Sequence, residues 1–258
     1  VRGAPVRTPG ESYAGVPTTP GGSRLTRSEA LPVARTGYFV VEASDRRDGV
    51  HNAFGIWRAA LAVDGQTRFE YRMDGFTYEQ ARCCDAVSCY PLQLFSRNEC
   101  IRLARLQGAP GEFYPTLVDR GVLRVDAGAQ HTVRIEVEDD SGNRSHLEFT
   151  IRGRAESFRA AADTTSVVAR HDRATLLTIP GEVMALIPGG ALYEPLFCRP
   201  ERLDAADMHL PAGVVPLSPL YRILDNRPPL YRAMTVTIIA PLPPARQLQA
   251  VAAVRTAK

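Results

Sequence analysis

The chain has 258 residues, of which 45% are hydrophobic and 23% charged, with 20 glycines and 20 prolines. That composition excludes a disordered or collagen-like chain, and prolines and glycines spread along the length disfavour long helices. The net charge of +3, carried almost wholly by arginines that alternate with acids, is too small to point to a nucleic-acid partner.

No run approaches the ~20 consecutive apolar residues that a membrane helix requires, so no membrane span is expected. The N-terminal VRGAPVRTPGE has no signal-peptide core. Since Val1 is not an initiator methionine, the chain reads as a processed or excised piece, which leaves export open. At this length two domains are the natural expectation.

Residues 1 to 31 read as one short strand and a long loop. Thr36 to Asp45 reads as a strand ending in the polar turn RRDGVHN. Gly55 to Val63 places Trp57, Ala59, Leu61 and Val63 on one face. Asp64-Gly65 is a tight-turn signal, and Arg68 to Met73 alternates again. Phe76 to Asp85 is the helix candidate, with Thr77 as its cap.

An irregular cysteine-rich stretch follows, then a short strand over Gly121 to Val125. His131 to Ile151 has the strongest pattern in the chain. Val133, Ile135 and Val137 alternate with polar residues, as do Leu147, Phe149 and Ile151 beyond the turn DDSGN. About seven short strands separated by turn signals predict an antiparallel, immunoglobulin-like β-sandwich over residues 1–153. Residues 154 to 170 read as a linker into a second β-sandwich over 154–258. Its strands are Ala174 to Ile179, Val183 to Ile187, Leu220 to Leu224 and Met234 to Ile239. The chain stops just after the apolar LQAVAAVRTA, so this second sandwich is expected to lack its last strand or two. The fold class is therefore all-β.

Few residues invite a chemical assignment. Of five cysteines, Cys83, Cys84, Cys89 and Cys100 fall within eighteen positions, with Cys198 apart. They can be read as disulfide-forming, with Cys89 or Cys84 joined to Cys100, or as buried structural thiols. A zinc site would want two pairs at CxxC-like spacing, which is missing. The histidines His51, His131, His146, His171 and His209 form no zinc-peptidase motif, and no nucleophile elbow or phosphate loop occurs. His171-Asp172 reads as a solvated turn. Asp126, Asp139, Asp140 and Asn143 match no calcium loop. Tyr13, Phe54, Trp57 and Tyr90 could stack on glycan, although Trp57 fits a core position better. No catalytic, cofactor-binding or metal residue is assigned, and no cofactor is implied.

Taken in order, RTGYFVVEASDRRDGVHNAFGIWRAALAVDG, YRMDGFTYEQAR and VEDDSGNRSHLEFTIRG resemble the region after the catalytic domain in Bacteroidetes-type lysostaphin-like peptidoglycan endopeptidases. The matching positions are Asp45, Gly49, Asn52, Gly55, Ile56, Trp57, Val63, Asp64, Gly65, Met73, Asp74, Phe76, Thr77 and Tyr78. Downstream, IPGGALYEP and SPLYRILDNRPPLYRAMTVTI fit the segment that follows in that family and are also similar to the ZU module of ankyrins and netrin receptors, a β-sandwich. The resemblance spans about residues 35 to 245. It implies a non-catalytic accessory region of an exported periplasmic or cell-envelope metallopeptidase. Its partners would be an upstream catalytic domain of the same polypeptide and peptidoglycan or an envelope protein. The family's zinc ligands and catalytic histidines lie in that upstream domain, so none is carried over. The cysteine cluster departs from the family, whose corresponding stretch is usually free of cysteine.

Overall fold

The computed structural model of the chain describes residues 15–19, 22–25, 29–46, 53–93, 99–109, 112–155, 166–203, 215–224 and 229–240. The fold is all-β, with helical structure limited to single turns. Its framework is an eight-stranded sheet centred on the hairpin of Gln130–Glu138 and Arg144–Gly153. The register sets Val133 opposite Phe149 and Ile135 opposite Leu147, so the alternating apolar residues of both strands share one face.

The connecting turn explains the residue types of DDSGN. Gly142 takes a φ of 85°, a conformation costly for side chains with a Cβ. The Asp139 carboxylate accepts hydrogen bonds from the backbone N–H groups of Ser141 and Asn143 and from the Asn143 side chain at 2.7–2.9 Å. These bonds hold that carboxyl below its usual range, the Asn143 side chain contributing most.

Arg58–Val63 pairs with the other side of Gln130–Glu138 and turns at Asp64-Gly65 into Gln66–Arg72. Both turn residues have positive φ, 50° and 78°, as a two-residue hairpin loop demands. Thr116–Leu117 closes that edge. At the opposite edge, Gly22–Leu25 and Leu31–Val33 both run parallel to Arg144–Gly153, and Gly15–Thr19 pairs with the former. The sheet is thus mixed where antiparallel pairing was expected throughout. Two small ladders contribute to the same core: Val40–Ala43 with Glu99–Arg102, and Thr36–Gly37 with Leu123–Arg124. Leu61, Phe69, Val133 and Ile151 from the large sheet meet Ile101, Leu103, Leu123 and Val125 in one apolar cluster.

On the outer face of the large sheet Arg58 reaches the carboxylates of Glu70 at 2.8 Å, Glu136 at 2.9 Å and Glu138 at 3.5 Å. Ala60, which pairs with both Glu70 and Glu136, leaves room for the guanidinium between them. Partial burial alone would raise the Glu136 pKa; hydrogen bonds from Arg58 and Arg134 outweigh it and hold the carboxyl low. A depressed folded-state pKa contributes stability above the unfolded value and loses it as pH falls through the folded one. Arg58→Leu, which leaves two half-buried acids and the buried Glu138 together, is expected to cost about 2 kcal/mol at neutral pH. The deficit against wild type should shrink on acidification as the acids protonate, as read by urea melts at pH 7 and pH 3. An unchanged deficit would show that the ladder does not act through charge.

Residues 166–240 carry smaller ladders. Thr175–Ile179, Val183–Ile187 and Thr235–Ile238 form a three-stranded sheet; Val167–Ala169 pairs with Leu196–Cys198, and Glu201–Leu203 with Leu220–Arg222. Thr175–Ile179, Val183–Ile187, Leu220–Arg222 and Thr235–Ile238 lie close to the four expected strands, whereas Val167–Ala169, Leu196–Cys198 and Glu201–Leu203 were not among them. Their core is slight: Ala169, Leu177, Ala185, Ile187, Ala191, Leu192 and Cys198. Three of those seven residues are alanines.

Elsewhere the expectations need revision. Thr36 to Asp45 is not one strand but three short pieces, because the chain changes partner between Gly37 and Val40 and again at Asp45. Helix starts only at Ala81–Cys83 and continues through Cys84–Val87. Residues ahead of it form a turn in which Gln80 Oε1 accepts the Thr77 N–H. Trp57 lies just before its strand, half-exposed. Its Nε1 donates to Asp74 at 3.2 Å and Arg72 lies 5.9 Å from its ring, so it is a surface cover and not core.

Candidate functional site: the cysteine-rich junction

The cysteine-rich stretch lies where the small second core meets the first half of the chain. Cys83 and Cys84 occupy the successive helical turns, and Cys89 follows them. Cys100 sits in Glu99–Arg102, a strand buried on both sides: Ile101 enters the main apolar cluster, while Cys100 and Arg102 alternate onto the other face. Ser88 bridges Ile101 in antiparallel sense, which sets Cys89 directly opposite Cys100, and the Cys89 N–H donates to the Cys100 carbonyl at 2.7 Å.

None of the five cysteines is joined in a disulfide in this structure. Burial pushes the Cys83 thiol up, with Glu112 and Asp85 adding to the effect. Burial likewise raises Cys84, seconded by Cys83 and Asp85. Raised thiols stay protonated at neutral pH and make poor nucleophiles and poor metal ligands. No group of three or more His, Cys, Asp or Glu side chains suited to a metal occurs among the described residues.

Tyr193 carries the contact from the second half. It is buried against Ala86, Leu106 and Ala109, and its ring centroid lies 6.0 Å from that of Tyr231. Its hydroxyl donates to the Arg82 carbonyl, Arg82 Nη1 donates to the Tyr231 carbonyl at 3.1 Å, and the Gly108 N–H donates to the Tyr193 carbonyl at 2.9 Å. The backbones approach closely here. A Cβ on Gly108 would stand 2.6 Å from the Leu192 carbonyl oxygen and 3.2 Å from the His171 side chain, so only glycine fits.

Arg102 completes the junction and is the residue that sequence reasoning missed. Only 3% exposed, it donates to the Ala86 carbonyl at 2.7 Å and the Ser88 carbonyl at 3.3 Å. It faces the Tyr38 ring at 5.8 Å and Glu194 at 3.9 Å, and its Nε is buried with no hydrogen-bond partner. Burial raises the Tyr38 phenol despite the neighbouring cation, and burial pushes Tyr114 up to about 12. In ECIRLARL the arginine looks like one more solvated charge; nothing in the local pattern marks it as internal.

The remaining candidates do not converge. Asp172 pairs with Arg170 at 3.1 Å, while His171 is packed beside Gly108 with its Nδ1 lacking a hydrogen-bond partner. His131 Nδ1 lies 2.7 Å from Asp64, at the foot of the hairpin. Asp126 is at the Gly153 end of the hairpin, far from Asp139, Asp140 and Asn143 at its tip. Phe54 is exposed; Tyr13, His51, His209, Gly49 and Asn52 lie outside the described residues, as does the Tyr90 side chain. What the junction supplies is cohesion: buried thiols, aromatic rings and one internal cation holding two sets of strands together. Comparison with protein-family models, curated proteins and solved structures finds no match for this chain.

Proposed function

We propose that the chain is a non-catalytic accessory region of an exported cell-wall metallopeptidase, holding an upstream zinc catalytic domain against peptidoglycan or an envelope partner. The observation that carries the reading is the junction. A module that positions another domain must transmit orientation, and Tyr193, Gly108 and Arg102 fix the second half on the first through buried contacts. The ordered motifs from Asp45 to Tyr78 and the IPGGALYEP segment supply the family context.

The test is to incubate the purified chain with isolated sacculi and count newly released amino termini. None is expected above the level of a buffer control. Release that increases with chain concentration would overturn the non-catalytic reading.

A second reading is a stand-alone envelope-binding or adhesion module. It is favoured by Leu176, Met184 and Leu186, which share the outer face of the three-stranded sheet and are 43–55% exposed. Exposed apolar patches of this kind mark interaction sites. An HxH-bearing zinc domain encoded upstream in the same reading frame favours the first reading, and a frame without one favours the second.

A further inference from the structure

We propose that Cys89 and Cys100 form a built-in oxidation site, closing to a disulfide when the chain meets a disulfide oxidant. The pairing is set by register. Ser88 bridges Ile101, so Cys89 faces Cys100 across an antiparallel pair joined by the Cys89 N–H to Cys100 carbonyl bond. Residues opposed across such a hydrogen-bonded pair stand with Cα atoms about 5.5 Å apart, inside the roughly 4.4–6.8 Å that a disulfide spans. Their side chains project to the same face. No other two cysteines are opposed in this way among the described residues: Cys83 and Cys84 are consecutive in helical turns, and Cys198 pairs with Val167 in the second core.

A second observation points at the same spot. The Arg102 guanidinium shares the face of Cys100 and lies within electrostatic reach of Cys89. Its Nε is buried with no hydrogen-bond partner. Negative charge that develops on sulfur during exchange therefore appears within electrostatic reach of an internal cation.

With oxidised glutathione, the Cys89 thiolate attacks one glutathione sulfur. The glutathione disulfide bond breaks, one glutathione thiolate leaves, and a mixed disulfide remains on Cys89. The Cys100 thiolate then attacks the Cys89 sulfur, forming the protein disulfide and expelling the second glutathione. The protein loses two electrons and two protons, and the oxidant becomes two thiols. Both cysteines are buried, at 7% and 3% exposure, so exchange proceeds through local opening and is slow in the fully closed chain. The product staples the Tyr90–Gln93 turn to the strand that bears Arg102, on the first-half side of the junction. That the bond forms in the cell rests on the exported reading above; its chemistry in vitro does not.

The experiment incubates the folded chain with oxidised glutathione, with and without a low urea concentration that permits local opening. The thiols are then alkylated under denaturing conditions and the digest is mapped. Cleavage before Asp85 and after Arg97 puts Cys89 on a peptide without Cys83, Cys84 or Cys100, which makes the assignment unambiguous. Expected are a mass lower by two hydrogen atoms, alkylatable thiols falling from five to three, and one linked peptide pair containing Cys89 and Cys100, formed faster with urea. Cys89→Ser should yield no linked pair and Cys84→Ser an unchanged one. Retention of all five thiols in both arms, or linkage through Cys83, Cys84 or Cys198, would overturn the proposal.

Discussion

Phe69→Ala should remove about 3–5 kcal/mol of stability, a large fraction of the roughly 5–15 kcal/mol that a folded protein possesses. Phe69 is fully buried in Gln66–Arg72, between Arg58–Val63 and Thr116–Leu117. Its ring meets Tyr114 with centroids 5.5 Å apart, and its edge approaches the position a Cβ on Gly121 would take. Gly121 has a φ of 74° and tight backbone neighbours, so that side of the site is held rigid and cannot collapse into the space vacated. Poor collapse places the substitution at the upper end of the range for an aromatic truncated to alanine. Equilibrium urea unfolding checks it: the midpoint should fall steeply with little change in slope. A loss under about 1 kcal/mol would mean that the core is centred elsewhere.

Tyr193→Ala should have the second largest effect, about 3 kcal/mol, and should also change the character of unfolding. The side chain is the chief apolar contact between the second half and the turns that carry Cys83 and Cys84. Its removal also takes the side-chain donor from the Arg82 carbonyl. Among the described residues the second core is small, three of its seven buried residues being alanines, so it leans on the junction for its stability. Cut loose, it should melt first, giving a two-step transition and early proteolytic cleavage within residues 166–240. Tyr193→Phe keeps the packing and loses only the hydrogen bond, so it should cost about 1 kcal/mol and leave a single step. If Tyr193→Ala melts in one step at the wild-type midpoint, the junction is not held by this residue.

Much of this framework could be read from the sequence where one face of a strand is buried and the other wet. Val133, Ile135, Phe149 and Ile151, and Leu177, Val183, Ala185 and Ile187, all show their inward face through strict alternation. The pattern failed where topology, not periodicity, decides. Nothing in GVPTT, GSRL or LPV says that two of these segments lie parallel to Arg144–Gly153. Nothing in TGYFVVEASD says that the strand breaks to change partners. The cysteine cluster drew notice as chemistry, but its setting was hidden because the residues that define it come from far along the chain. Tyr193, Glu194 and Tyr231 meet Arg82 and Arg102 across roughly ninety to a hundred and fifty positions. An internal arginine looks the same in sequence as a solvated one, and the partners that bury Arg102 are what distinguish it.

The scaffold reading requires the two halves to behave as one body, and scanning calorimetry of the intact chain measures this most directly. A single transition is predicted, with calorimetric and van't Hoff enthalpies equal for the whole chain. Two separable transitions in the wild-type chain, one of them assignable to residues 166–240, would contradict it.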